Sequence, residues 1–321
     1  MLILCDGTDG AGKSTLATRL TEYLERHRPG DTVELWHAGK PTTHPLDEYV
    51  TPLLGYRPGR GHHIICDRWH WGETVYPVIK GRPTDLDRPT HRYTELFLQT
   101  RGALGVHVWR DVHELQAVFR DRGEFILTDA ELHETQKLFT VAYNDSTITK
   151  RTIRPDEADV VEYIVAEAAR AELKARSVAS LVTYVGPPQA DTLLLGDVRC
   201  PGNHNPAGPA FTPYPATSGA FLMRALHESG MAETLTGGLG IANACDVDSV
   251  ADLVASVRPY AVVTLGANAW KTYTGAFGTE GVGAVPHPQY VRRFHHKHCA
   301  DYGAAISEAS YYRRDMRSWR P

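Results

Sequence analysis

Short apolar runs alternate with longer amphipathic stretches over the first 176 residues. Leu2 to Cys5 is continuously apolar and reads as a short buried strand. Residues 13–27 follow with Leu16, Leu20 and Leu24 on one helical face. Thr32 to Trp36, His62 to Cys66 and Val106 to Trp109 are further strand candidates. Pro89 suits a helix start, and Tyr93, Leu96 and Phe97 continue that helix to about Thr100. Helices are predicted near 111–120 and 129–143, then a strand at 147–153. An Ala-rich helix is predicted from Pro155 to about Arg176. Strands alternating with helices predict a parallel sheet covered on both faces. A second unit, 177–321, repeats the pattern. Strands are predicted at 180–185, Thr192–Leu195, Ile241–Ala244 and Ala261–Leu265, and helices at 218–229 and Ser249–Val257. A Gly/Pro/Asn-rich loop occupies 196–215. The fold class is therefore α/β throughout, in two domains, 1–176 and 177–321.

The strongest local motif sits between the first strand and the first helix. Gly7-Thr8-Asp9-Gly10-Ala11-Gly12-Lys13-Ser14-Thr15 has the G-x-x-x-x-G-K-S spacing in the strand–loop–helix context that the chemistry needs. Glycines let backbone N–H groups wrap phosphate oxygens, and the helix N-terminus adds partial positive charge. The Lys13 ammonium neutralises the β/γ-phosphates, and the Ser14 hydroxyl ligates Mg²⁺. ATP and Mg²⁺ are the expected cofactors, and a kinase the expected enzyme.

Composition narrows the setting. The five cysteines, at 5, 66, 200, 245 and 299, form no C-x-x-C pair, so neither a zinc ribbon nor a disulfide framework is expected. A reducing, cytoplasmic location fits that usage. The apolar start is too short for a signal peptide, and no window spans a membrane. Net charge of −4 does not mark a nucleic-acid binder as a whole. Arg292, Arg293, Lys297, Arg313, Arg314, Arg317 and Arg320 nevertheless concentrate near the C-terminus, as a phosphate-contacting surface or as a solvated tail.

The phosphate loop, with Asp67-Arg68-Trp69 at the end of a strand some fifty residues on, resembles thymidylate kinase. The resemblance covers about the first 175 residues. It implies that Asp9 reaches the acceptor's 3′-hydroxyl, that Arg68 holds the acceptor phosphate, and that Asp67 helps organise Mg²⁺. It also implies a lid at Arg120-Asp121-Arg122-Gly123-Glu124, whose Arg120 and Arg122 close over the transferring group. Two departures bear on the acceptor. Gly39-Lys40-Pro41 stands where Arg-Glu-Pro is usual, and the domain is shorter than usual for the family; Trp69 also stands where the family has Tyr. Lys40 brings a point charge rather than a fork. Arg68 is read either as this clamp or as a structural ion pair with Asp67 or Glu73, and Trp69, Trp71 and Tyr76 as acceptor pocket or core.

In the second unit, Leu193–Gly202, Gly208-Pro209-Ala210-Phe211, Gly240–Ala244, Val262–Gly266 and His287-Pro288 resemble, in that order, the uracil-DNA glycosylase superfamily. The resemblance implies that Asp197 handles water, Phe211 stacks on a base, Asn243 reads the base edge and His287 stabilises charge on it. The family's paired cysteines are absent, Gln289 follows His287-Pro288 where Ser is commoner, and Arg199-Cys200 is inserted. A base- or nucleotide-binding module is expected rather than base excision.

Three readings follow. The first is ATP-dependent transfer to a dTMP-like deoxynucleoside monophosphate, with an appended base-recognising domain. The second is a kinase acting on 5-hydroxymethyluracil in DNA. The third is a DNA-repair or DNA-binding protein whose loop merely binds nucleotide. The expected partner is a nucleotide substrate, with DNA through the second domain a further candidate and no membrane; a homodimer is open.

Overall fold

A computed structural model describes residues 1–84, 86–123, 127–178, 181, 183–197, 209–231, 238–244, 249–295 and 298–311. The chain forms two compact units. One comprises Met1–Leu86 and Arg101–Lys174, the other Asp87–Thr100 and Ala175–Pro321. Each is described by itself.

The elements of the first unit are β1 (Leu2–Asp6), α1 (Lys13–His27), β2 (Thr32–His37), α2 (Pro45–Tyr49), β3 (His62–Asp67), α3 (Trp71–Ile79), β4 (Ala103–Val108), α5 (Val112–Arg122), α6 (Asp129–Asp145), β5 (Thr149–Ile153) and α7 (Val160–Ala175). Here α4 is set aside for Arg88–Thr100, which packs in the second unit. The sheet order is β2-β3-β1-β4-β5, with every pair parallel. Parallel strands sandwiched between helices need both faces apolar, and β1 and β4 are buried along their whole length. Leu16, Leu20 and Leu24 of α1 are each 0% exposed in the core shared with Ile3, Cys5, Ile65 and Val106. Burying each leucine contributes about 1.5–3 kcal/mol as an upper figure.

The loop after β1 leads through α1 to one side of the sheet, and the connection after β4 leads to β5 on the other. Strand order thus reverses between β1 and β4, the place where open α/β sheets form a ligand crevice. The phosphate loop lies at that end of the sheet, and Asp67 ends the neighbouring β3.

The second unit contains α4, β6 (Thr192–Gly196), α8 (Ser218–Glu228), β7 (Leu239–Asn243), α9 (Val250–Val257), β8 (Ala261–Leu265), α10 (Ala267–Phe277), β9 (Val282–Val285), α11 (Pro288–Phe294) and α12 (Cys299–Ala309). Its sheet order is β7-β6-β8-β9, again all parallel. The order reverses between β6 and β8. Helix α4 is tied in by Tyr93, whose hydroxyl donates to the Ala210 carbonyl at 2.7 Å, and by Thr100, which donates to the Gly186 carbonyl at 2.9 Å.

Two expected elements differ. The strand read at 180–185 reduces to one antiparallel bridge, Val185 to Ile241, with Ala179, Ser180 and Val182 outside the described residues. Turn bonds from Leu181 to Val178 and from Tyr184 to Leu181 take the backbone instead, and Pro187-Pro188 offer no N–H to extend a ladder. The helix read from Pro155 starts at Val160, because the Pro155 carbonyl accepts from Arg19 at 2.7 Å and Asp159 turns left-handed at φ 57°.

Candidate active site

The phosphate loop is shaped by steric necessity at Gly7. Its φ is +145°, and a Cβ there would lie 2.3 Å from the Val108 carbonyl oxygen, inside the β1–β4 pair. Gly12, at φ +99°, is the left-handed residue before α1, and the Pro155 ring lies 3.1 Å from where its Cβ would be. The first-turn N–H groups of α1 have no intrahelical acceptors and open onto the loop. Ser14 and Thr15 in that turn are exposed.

Three charged side chains organise the loop. Asp6 is buried, and its carboxylate accepts N–H bonds from Gly7 at 3.1 Å, Gly72 at 3.1 Å and Trp69 at 3.3 Å. It thereby holds the loop to the segment after β3. Burial pushes its pKa up to about 6, against the pull of Lys13 and His70. Lys13 is buried too. Its ammonium donates to the carbonyls of Gly7 at 2.8 Å and Thr8 at 2.9 Å, and lies 3.6 Å from the Asp9 carboxylate. Burial lowers its pKa, while Asp9 and Asp6 favour the charged form. Asp9 accepts from the Arg68 guanidinium at 2.8 Å, and its own N–H donates to the Tyr76 hydroxyl at 3.2 Å.

Arg68 has φ 73°, an uncommon conformation for a residue with a side chain, while its N–H donates to the Cys5 carbonyl at 2.9 Å. The expected structural partners are not the ones it takes. It pairs with Asp9, whereas Glu73 is held by both arms of Arg82, each at 2.8 Å. Asp67 places one carboxylate oxygen 2.9 Å from His37 Nδ1. Its other oxygen, Oδ1, is buried with no hydrogen-bond partner among the described residues. A buried carboxylate oxygen in that state is a fit for a hard cation.

Of the aromatic residues, Trp69 and Trp71 are buried. Trp69 packs on Trp36 and edge-on to Tyr49, and Trp71 fills the space above Gly105. The Tyr76 hydroxyl accepts from the N–H of a loop residue, Asp9, at 3.2 Å. Lys40 is exposed in the segment after β2. Arg120 and Arg122 lie exposed in the last turn of α5, where Arg120 donates to its own helix at Gln116. Neither bonds to the phosphate loop among the described residues. Phe119 of the same helix lies 3.4 Å from the Cβ position of Gly10. Glu124 lies outside the described residues. The sequence reading missed Asp6 and His37. Asp6 was visible only as the end of an apolar strand, and His37 becomes a partner of Asp67 only once β2 and β3 are in register.

In the second unit the structure brings four candidate residues to the C-terminal edge of the sheet. Asp197 follows β6, Asn243 ends β7 and His287 follows β9. Phe211, at φ 51°, reaches over Gly196, so that a Cβ there would lie 2.3 Å from its ring. That position would also lie 2.9 Å from Asn243 Oδ1. The Phe211 and His287 rings are 5.9 Å apart, centre to centre. Asp197 accepts the Ala269 N–H at 2.6 Å, across the reversal in strand order. His287 Nδ1 accepts the Gln289 N–H at 3.2 Å, which leaves the ring proton on Nε2. Burial lowers its pKa, with Asp197 pulling the other way, so the neutral donor is favoured. Residues 198–202 of the first motif, Gly208 of the second, Lys297 and the arginines from Arg313 onward lie outside the described residues.

No protein-family model matches the chain, and no curated protein matches it. Among solved structures, the YorR protein from Bacillus subtilis, in complex with phosphorylated GDP, is similar at 16% identity and a TM-score of 0.42, over 52% of this chain and 94% of that one. Deoxyadenosine kinase from M. mycoides, with dCMP and dCDP bound, is similar at 15% identity and a TM-score of 0.31, over 56% and 100%. Polyphosphate kinase 2 from Arthrobacter aurescens TC1 is similar at 14% identity and a TM-score of 0.38, over 59% and 71%.

Proposed function

We propose that the first unit transfers the γ-phosphoryl group of ATP to a deoxynucleoside monophosphate of the dTMP type. The observation that carries this is the meeting of the Gly7–Ser14 loop, the buried Lys13, the Arg68–Asp9 pair and the unpartnered Asp67 oxygen at one end of one sheet. Phosphoryl transfer needs positioning and cationic stabilisation more than covalent chemistry, and these residues supply both. The loop's N–H groups and Lys13 hold the β- and γ-phosphates. Ser14 and Asp67 would hold Mg²⁺, which would supply positive charge to offset the negative charge of the phosphates. Arg68, exchanging Asp9 for the acceptor's phosphate, brings the acceptor oxygen into line. The bond from the γ-phosphorus to that oxygen forms as the bond to the β-phosphate oxygen breaks, and ADP leaves. Asp9, released, accepts from the acceptor's sugar hydroxyl.

A second reading moves the acceptor into DNA, as a 5-hydroxymethyluracil base. It is favoured by the convergence of Asp197, Phe211, Asn243 and His287, an aromatic face beside an amide and a neutral donor, the set that a nucleobase requires. The test is transfer of label from γ-labelled ATP to dTMP, dCMP, dAMP and dGMP, and to duplex DNA containing 5-hydroxymethyluracil. Labelled dTDP is the expected product. Label entering DNA alone selects the second reading, and no transfer to any acceptor overturns both.

A further inference from the structure

His37 and Asp67 end adjacent parallel strands in direct register, and the Ala38 N–H donates to the Asp67 carbonyl at 3.2 Å. The imidazole is 60% exposed, yet its Nδ1 lies 2.9 Å from Asp67 Oδ2, whose carboxylate is 6% exposed. A carboxylate only accepts, so Nδ1 carries the proton in this bond. Packing therefore does not fix the ring; the hydrogen bond does. Oδ1 of the same carboxylate is buried and has no hydrogen-bond partner among the described residues. Rotation about the last side-chain bond would otherwise exchange the two oxygens. Occupying one of them from the β2 side leaves a single oxygen, in a single orientation, without a partner. Asp67 is near enough for its charge to act on Lys13, so this oxygen belongs to the loop's electrostatic surroundings.

We propose that His37 is a positioning residue that holds Asp67 by Oδ2 and so presents Oδ1 to the divalent cation accompanying the nucleotide. This rests on the reading of Asp67 as a cation ligand. Partners that orient a metal-binding carboxylate typically change metal affinity about 10–100-fold when removed. An Asn at this position places its amide nitrogen where Nδ1 stands, whereas Ala places nothing there.

The experiment uses the full chain with Mn²⁺ and a non-hydrolysable ATP analogue, AMP-PNP. Bound and free Mn²⁺ are separated by electron paramagnetic resonance, and AMP-PNP affinity is measured in parallel without metal. His37→Ala should weaken Mn²⁺ binding to the nucleotide complex about ten-fold or more and leave metal-free AMP-PNP affinity unchanged. His37→Asn should restore most of the loss. Wild-type Mn²⁺ affinity in His37→Ala, with Asp67→Asn defective, refutes the positioning role and leaves the reading of Asp67 intact. Wild-type affinity in both variants removes the two together. An Asn variant as weak as Ala, or an equal loss of metal-free nucleotide binding, also overturns the proposal.

Discussion

His107 and Asp6 are register partners across the β1–β4 ladder, and their protonation pulls stability in opposite directions. Burial, with the charge of Lys13 second, holds His107 down at about 4. As pH falls below the ordinary histidine value of about 6.5, the unfolded chain takes up the proton first. The stability that His107 contributes is therefore full above that value and is lost as pH falls towards 4. At about 1.4 kcal/mol per pH unit the loss approaches 3 kcal/mol. Asp6 runs the other way. Burial raises it to about 6, so the folded chain binds its proton first. Its contribution is full below the ordinary aspartate value and is lost as pH rises through 6, again by about 3 kcal/mol on the same arithmetic. In the native protein the two slopes offset. His107→Phe separates them. A phenyl ring suits the site, since the imidazole already stacks on Phe139 at 6.2 Å and 22° and lies 5.7 Å from Tyr143. The assay is urea unfolding by tryptophan fluorescence at pH 7, 5.5 and 4.5, with Trp71, edge-on to Tyr143, as a local reporter. The variant should gain on the wild type as pH falls, by about 2–3 kcal/mol over that range. Parallel curves for the two proteins would refute a buried, neutral His107.

The remaining predictions concern function. Lys13→Met keeps a buried stem but removes the cation, so phosphoryl transfer should fall by roughly 10²–10³-fold or more with little change in circular dichroism; near-normal turnover would end the kinase reading. Arg68→Lys should raise the acceptor KM about ten-fold and spare the ATP KM, because an ammonium cannot reproduce a fork; equal effects on both substrates would reduce Arg68 to a neutraliser of Asp9. Phe211→Ala in the full chain should weaken single-stranded DNA binding about ten-fold, given stacking of about 1–3 kcal/mol per base. Binding unchanged, with a lowered melting temperature, would make Phe211 a core residue. The full chain is the proper material because α4 packs in the second unit.

Much of the α/β architecture was legible because its central strands are buried on both faces. Leu2–Cys5 and Leu193–Leu195 are unbroken apolar runs and Ala261–Leu265 is interrupted only by Thr264, and a parallel strand between two helix layers has no alternative. Helix α1 was legible to its ends because Gly12 and Lys13 fix its start and three leucines fix its face. The β9 strand was not. Val282–Val285 is four residues long and contains Gly283, where a Cβ would lie 2.3 Å from the Ala309 carbonyl oxygen. Its glycine marks a close approach by α12, which no local pattern reveals. Helix α3 was hidden by Pro77, a residue that argues against a helix interior.

The candidate sites show where sequence reasoning stops. A loop motif is contiguous, so its spacing carries its geometry, and Gly7 to Ser14 could be read in one pass. The groups that complete the site are contributed by strand neighbours. Asp6 reaches the segment after β3 through two backbone N–H bonds, from Trp69 and Gly72, and His37 reaches Asp67 from β2. Each depends on which strand lies beside which. The order β2-β3-β1-β4-β5 places two crossovers between residues distant in the chain, and that order is set by packing of the whole sheet. The second unit obeys the same constraint. Asp197, Asn243 and His287 sit at the ends of three strands, and only the order β7-β6-β8-β9 makes them neighbours. In both units the candidate residues gather near the reversal in strand order, where adjacent loops of an open α/β sheet diverge and leave room that backbone N–H groups and strand-end side chains can line.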